Sequence, residues 1–442
     1  MTAFLQREFQ HGEKGQLFCN PPFYMTELDP DGRPHLWSLN KAVYGTRQAA
    51  SAYVDTMEQW LFKQAPLPLS AMQEDCKACR FDPAKLLAEP RFKELRARCA
   101  KQWPGWEERW LAQQGADVVP PATVLKAAGY EAAEARQVDD FDRPIYSMCA
   151  HIDDMRHHST CKWMHEESFA PAFRVRFKST HSDGVLNKPG SVQSSSYLNQ
   201  RWRFGDGKAA VDNEFWIMKF LEEQGFGNCK PSDVPMAEGL KFNKAEMPTT
   251  EAEEELIFKQ LLSERKVGPG SVWPTLTTFA AVRTKYRSVT AGMGWASQTT
   301  HPELQGAVSM WASQMANPSY LAIIALPKGL RYLQKTKSDA LVYTRTGKRT
   351  VTLSAQSDAS LGSDTGSGTS QYGFWISAND SAVIESRAAR TKMVCLSTTH
   401  TEIVSLSECC RSLVALRRFL IELGFQQDEP SVVECDNEMA IR

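Results

Sequence analysis

The run Val351-Thr352-Leu353-Ser354-Ala355-Gln356-Ser357-Asp358-Ala359-Ser360 alternates apolar and polar side chains through Val351, Leu353 and Ala355. A period of two is the mark of a half-buried strand, and this one ends on an aspartate, Asp358. A loop with Gly362, Gly366 and Gly368 follows, and Gln371–Ser377 alternates again through Tyr372, Phe374 and Ile376. Asn379-Asp380 then makes a turn into Ser381–Ser386. Three strands on short loops predict an antiparallel meander. The segment from Thr398 to Phe425 is helical, opening on the capping-box spacing Thr399-x-x-Glu402 and stopping at Gly424. Ser431–Asp436 is a fourth strand. The order is strand, strand, strand, helix, strand.

That order has a chemical consequence. If the first and fourth strands pair in parallel with the helix above them, Asp358, Glu402 and Asp436 come together. Clustered carboxylate oxygens suit Mg²⁺, and two such ions about 4 Å apart activate a water and stabilise a leaving oxygen in phosphodiester cleavage. Each residue also has a plain alternative: Asp358 closing a strand, Glu402 capping its own helix, Asp436 starting a turn.

Outward from there, Arg283–Arg349 carries ten Lys or Arg against Glu303 and Asp339. Together with Trp295, Trp311 and its tyrosines, this basic segment suits a nucleic-acid backbone; solvated helix faces are the other reading. Upstream, Glu214–Phe226 predicts a helix stopped near Gly225, with Lys230–Pro235 as an extended linker. His181–Ser195 is loop-like. Residues 64–143, with charge runs, tryptophans and prolines, read as an insertion. From Gln48 onward, Ala52, Tyr53, Met57, Trp60 and Leu61 recur at helical spacing.

Ala150–Ser159 sets Asp153 and Asp154 beside three histidines, and three readings are open. The pair is a turn between strands that chelates Mg²⁺ for nucleotidyl transfer. Alternatively His157, Cys161 and His165 line one helix face as zinc ligands, with Cys149 or His151 as a fourth. The third reading is a solvated helix start. Cys76-x-x-Cys79 has no partner pair nearby.

The 442 residues carry a net charge of −1, so no whole-chain field drives the protein onto nucleic acid or an anionic membrane. The length allows two or three domains. Eleven scattered cysteines, no leader and no apolar run of bilayer length imply an intracellular, thiol-reduced protein without membrane spans. Both ends look cut.

Several stretches in order along the chain carry a family resemblance. "LWSLNKAVYGTRQAASAY" (36–53), "HIDDM" (151–155), "FLEEQGFGNCKPSDVPM" (220–236), "YRSVTAGMGWASQTTHPELQGAV" (286–308), "LRYLQKTKSDALVY" (330–343), "SDAS" (357–360), "LSTTHTEIVSL" (396–406) and "CDNEMAI" (435–441) resemble the reverse transcriptase and ribonuclease H region of Copia-type retrotransposon Pol polyproteins. The resemblance implies an α+β multidomain chain. Residues 1–235 would be a palm and fingers fragment containing the 64–143 insertion, 236–349 a basic thumb and connection, and 350–442 a truncated ribonuclease H-like α/β domain.

It further implies that Asp153 and Asp154 are the palm's metal-binding pair and that Gln48 lies near the incoming nucleotide and template. "MTAFL" (1–5) is similar to the family's motif ending in Thr-Ala-Phe-Leu, which makes Phe4 the side chain that excludes a ribose 2′-hydroxyl. Asp358, Glu402 and Asp436 fall on ribonuclease H metal ligands; Arg331, Lys335 and Lys337 of the basic segment, with Lys41, are the expected nucleic-acid contacts. Mg²⁺ or Mn²⁺ would be the cofactor; an RNA template, RNA–DNA hybrids and deoxynucleoside triphosphates would be the partners. The family's first palm aspartate would fall two positions before Met1, His151 stands for a tyrosine, Ala50 for a proline and His400 for a glutamate, and the end of ribonuclease H would lie beyond Arg442. These departures lead us to expect a fragment defective in polymerisation. A non-catalytic nucleic-acid-binding remnant and a zinc-binding module are the alternatives.

Overall fold

The computed structural model describes residues 57–72, 78–114, 144–151, 154–159, 163–177, 192–344, 351–362 and 368–441, together with the strands at 17–19 and 37–39. The protein is of mixed α and β structure with several sheets, the α+β class expected. Its chain forms two compact units, Met1–Gly184 and Val185–Arg442. Among the described residues, no helix is long and apolar enough to cross a membrane.

In the first unit β1 (Leu17–Cys19) pairs antiparallel with β2 (Trp37–Leu39). The helix expected from Gln48 is present over its described part, 57–63 (α1), with Met57, Trp60 and Leu61 buried. Next come β3 (Leu69–Ala71), β4 (Ala78–Phe81), α2 (Pro83–Ala88), α3 (Lys93–Gln102), α4 (Trp106–Gln114), β5 (Tyr146–His151) and β6 (Asp154–Ser159). The sheet order is β3-β4-β5-β6, antiparallel throughout. A π-helical stretch, Met164–Phe169, runs into α5 (Ala170–Phe177). Phe169, Phe173 and Phe177 recur every fourth residue and so share a helical face. Each meets the Trp60 ring edge-on at 5.8, 5.5 and 5.6 Å. Leu67, Leu69, Phe81, Leu86 and Trp106 lie in the same buried cluster. The described part of 64–143 therefore supplies two of the four strands and much of the core around Trp60.

The second unit begins with β7 (Gln193–Tyr197), β8 (Gln200–Gly205), β9 (Lys208–Asp212), α6 (Glu214–Gln224), α7 (Glu251–Ser263), α8 (Phe279–Thr299), α9 (Gln305–Ala312), α10 (Tyr320–Thr336) and β10 (Leu341–Thr344). The strands form an antiparallel sheet in the order β10-β9-β8-β7. Asp212 is fully buried and pairs with Arg201 at 3.0 Å and Arg203 at 3.1 Å, while Arg201 reaches Glu214 at 2.6 Å, tying the sheet to α6. As predicted, α6 stops at Gly225, whose φ of +82° is the left-handed conformation glycine adopts without a Cβ penalty. Helices α6 to α10 share one core that includes Ile217, Phe258, Tyr286, Trp311 and Leu330.

The rest of this unit is β11 (Leu353–Ser360), β12 (Thr369–Ala378), β13 (Val383–Val394), α11 (Thr398–Glu422) and β14 (Val432–Glu434). The sheet order is β13-β12-β11-β14. The first three strands are antiparallel, and β14 lies parallel to β11. Asn379 and Asp380, at φ +54° and +52°, turn the chain between β12 and β13. Leu353, Ala355, Tyr372, Phe374 and Ile376 face Cys409 and Leu413 of α11 in a second core. The strand and helix order is the one the sequence pattern predicts, and the first and fourth strands do pair in parallel, the condition on which the carboxylate cluster depended. The cap is not. Ser397, rather than Thr399, caps α11, its hydroxyl accepting from His400 N at 3.1 Å. The helix starts earlier, so Glu402 falls one turn in, and its carboxyl turns to the sheet instead of back to the cap.

Candidate functional site

Three elements of the second unit bring carboxylates to one end of the β11–β14 pair. On β11 the core face takes Leu353, Ala355 and Ser357, which leaves Asp358 exposed near the end of the strand. Val433 pairs with Ala355 and Glu434 with Gln356. The pairing ends there, two residues before Asp436, whose carboxylate lies within 4.8 Å of the Glu402 ligand atom. Glu402 comes from α11 and is only 4% exposed. What holds α11 at this height is a buried hydroxyl pair. Ser357 Oγ donates to Ser405 Oγ at 2.7 Å, and Ser405 in turn donates toward the carbonyls of Asp358 at 3.0 Å and Gly373 at 3.2 Å.

Within the cluster, Ala359 N donates to Glu402 Oε1 at 3.2 Å, and Cys435 Sγ lies 3.8 Å from Oε2. Among the described residues, the ligand atoms of Glu402, Cys435 and Asp436 all lie within 4.8 Å of one another. Asp358 is outside that set, yet its charge acts on Glu402. Burial, then the Asp358 charge and more weakly that of Asp436, push the Glu402 carboxyl above its ordinary value, while the Ala359 N–H opposes the rise. Burial and the Glu402 and Asp436 charges likewise raise the Cys435 thiol, against the backbone N–H of Asn437. Like charges crowded beside a desolvated carboxyl are a repulsion that a proton or a cation relieves. A cleft of about 950 Å³ opens alongside, lined by Asp358 and Asp436 among others. Cys435 is the member that the sequence reading missed; its signal was its place directly before Asp436.

Other expected residues are spread more widely. Phe4, Lys41, Gln48, Asp153 and Cys161 lie outside the described residues, as does the side chain of Asp154, which opens β6. His151 pairs with Asp154 where the antiparallel strands β5 and β6 meet. The zinc reading needed His157 and His165 on one helix. His157 lies instead on β6, and its ring stacks on that of His165 with centroids 3.3 Å apart and planes 11° from parallel. Imidazole lone pairs lie in the ring plane, so stacked rings present them side by side and cannot aim both at one tetrahedral ion. Tyr146 Oη meets His165 Nδ1 at 3.0 Å.

In the basic segment several charges serve internal contacts. Arg283 pairs with Glu254 at 2.7 Å, Arg287 donates to the carbonyls of Met315 and Ala316, and Lys335 pairs with Asp233. Arg331 is exposed and Lys337 half-buried.

Comparison with known proteins gives the chain relatives. Over 234 residues, 53% of the chain, it is 29% identical to "Retrovirus-related Pol polyprotein from transposon TNT 1-94" of Nicotiana tabacum. Over 173 residues, 38% of the chain, it is 30% identical to "Retrovirus-related Pol polyprotein from transposon RE2" of Arabidopsis thaliana. Its homologues are retrotransposon Pol polyproteins. The matches span 15% and 12% of those two polyproteins, so the chain corresponds to a small part of each. It is also 32% identical over 131 residues to "Secreted RxLR effector protein 161" of Plasmopara viticola, of which it covers 90%. This chain and that protein belong to one family. No family model and no solved structure matches the chain.

Proposed function

We propose that this chain carries the reverse transcriptase and ribonuclease H portions of a Copia-type retrotransposon Pol polyprotein, and that Asp358, Glu402 and Asp436 form the site that cuts RNA within an RNA–DNA hybrid. The observation that carries this reading is the parallel pairing of β14 on β11, which delivers Asp436 to within 4.8 Å of the buried Glu402, with Asp358 near enough for its charge to act on the same carboxyl. The Pol polyprotein relatives support it.

The donor set fits a hard divalent ion. Carboxylate oxygens arrive from three elements, and the repulsion that raises Glu402 is one that Mg²⁺ or Mn²⁺ would offset. Asp358, Glu402 and Asp436 would hold it, with Cys435 at their side. Such ions, when bound, activate a water and stabilise the leaving oxygen in phosphodiester cleavage. The chain's own groups fix the geometry. Ala359 N–H orients Glu402 through Oε1, leaving Oε2 toward Cys435. The Ser405 hydroxyl locks the helix bearing Glu402 to the backbone of Asp358 itself.

In the first unit, the β5–β6 hairpin tip with Asp153 and Asp154 is proposed as the metal-binding turn of the polymerase palm. Phe4 and Gln48 would border the deoxynucleoside triphosphate, and Lys41, Arg331, Lys335 and Lys337 the RNA template or hybrid. The nuclease test is release of labelled RNA from a hybrid in Mg²⁺ or Mn²⁺. Cutting should stop in EDTA and fall at least about 100-fold in Asp358→Asn, Glu402→Gln and Asp436→Asn, the scale of losing one electrostatic group from such a site. Binding without cutting would favour the non-catalytic remnant, and cutting indifferent to the three variants would place the activity elsewhere.

A further inference from the structure

The cleft beside the carboxylates has one wall made by a single face of the sheet. The register sets Asp358 opposite Gly373 and Gln356 opposite Trp375, and on the next strand Gly373 and Trp375 face Ala388 and Ser386. All six therefore share the face turned away from α11. The opposite wall is the start of α9, tied to the sheet by Gln305 to Ser386 at 2.7 Å and by Gln371 to Ser309 at 2.9 Å. Beside Asp358, then, stands a residue with no side chain. A Cβ built on Gly373 would come no closer than 3.5 Å to its nearest neighbour, the Arg387 carbonyl. One built on Gly306 across the cleft would meet nothing within 4 Å. Neither glycine is required by backbone packing; what their small size does is keep the cleft open next to Asp358. Trp375 lies two residues further along β12, about 7 Å away, and leaves 37% of its surface exposed.

We propose that Gly373 and Trp375 seat the nucleic-acid strand that is cut, an assignment that rests on the ribonuclease H reading of the site. Gly373 leaves the space through which a sugar-phosphate backbone reaches Asp358, and the Trp375 indole packs on the sugar or base of the neighbouring nucleotide. A cleft of about 950 Å³ is the size of a small-ligand site, which admits a few nucleotides of one strand while the rest of the hybrid stays outside. Its chemistry suits that occupant: carboxylates for cations at one end, the amides and hydroxyls of Gln305, Gln356, Gln371 and Ser386 along walls that also carry Glu303, Glu434 and Arg387, and an aromatic face for stacking.

The test uses the full chain and an oligoriboadenylate–oligodeoxythymidylate hybrid. Trp375→Ala should raise KM roughly tenfold or more, the range of one lost stacking contact, with kcat within about twofold, and Trp375→Phe should restore most of it. Gly373→Leu should cut the rate at least about tenfold at an unchanged melting temperature, while Gly373→Ala is nearly neutral. If the wild-type chain cuts the hybrid and Trp375→Ala and Gly373→Leu leave KM and rate unchanged, the seat is wrong and the nuclease reading stands. If the wild-type chain does not cut, hybrid-induced quenching of tryptophan fluorescence in EDTA decides: quenching lost in Trp375→Phe keeps the seat without the nuclease, and no quenching removes both.

Discussion

Glu402 is an acid placed where its charged form is disfavoured. Because the folded chain keeps its proton to higher pH than the unfolded chain does, the native state binds more protons between the ordinary glutamate value of 4.5 and the raised one. Folding stability from this group is therefore complete below that window and falls as pH rises through it. Glu402→Gln should flatten the fall, and thermal melts between about pH 4 and about pH 8 would show it; equal pH slopes in the two proteins would discredit the crowding described here. The same logic predicts that Mg²⁺ raises the melting temperature more above the window than below it. At this scale the sequence was partly legible. Asp358, Glu402 and Asp436 were found from element order, but Cys435 was passed over because neighbouring residues in a strand point to opposite faces. β14 ends at Glu434, so the next two side chains escape that rule and both reach Glu402. The zinc alternative at His157 rested on a spacing of four that also fits a helix, and nothing local revealed that β6 extends to Ser159.

Between elements, single hydroxyls and single glycines hold the arrangement. Ser405→Ala would leave the buried Ser357 hydroxyl without its acceptor, at a cost of about 1–3 kcal/mol, and would loosen α11 from β11. Denaturant titration should show the loss, and cleavage should weaken with it; full stability in the variant would mean that packing alone fixes the helix. Gly225→Ala should cost about 1–2 kcal/mol for the left-handed backbone, aggravated by a Cβ only 3.3 Å from the Val272 carbonyl. A value near zero would show that α6 can end elsewhere. The elements of the last ninety residues were readable because Leu353, Ala355, Tyr372, Phe374 and Ile376 alternate against a covered face. The start of α11 was misplaced because Ser397 and Thr399 are both acceptable caps, and the choice between them is made by the helix face that must meet the sheet.

Across the whole molecule, charge and chain order carry less information than they seem to. The basic segment looked like a phosphate track, yet Arg283 and Arg287 are spent on internal contacts. Lys335 meets Asp233 in an exposed pair of little energetic worth, so it remains usable for phosphate. If Arg331, Lys335 and Lys337 follow a hybrid backbone, replacing all three by alanine should reduce the logarithmic salt slope of binding by about two to three; an unchanged slope would return them to ordinary surface charge. The described part of 64–143, read from composition as an insertion, contributes Leu69, Phe81 and Trp106 to the core around Trp60. Long-range pairing of β4 with β5, across more than sixty residues, leaves no periodic trace. One last consequence follows from the three-residue grip of β14 on β11. Asp436 follows directly on a strand that pairs over three residues alone, so its hold on the sheet is expected to open more readily than the long β11–β12 and β12–β13 pairings. Amide exchange at Val432–Glu434 should be fast without divalent cations and slow with them, while the amides of β12 stay protected in both conditions.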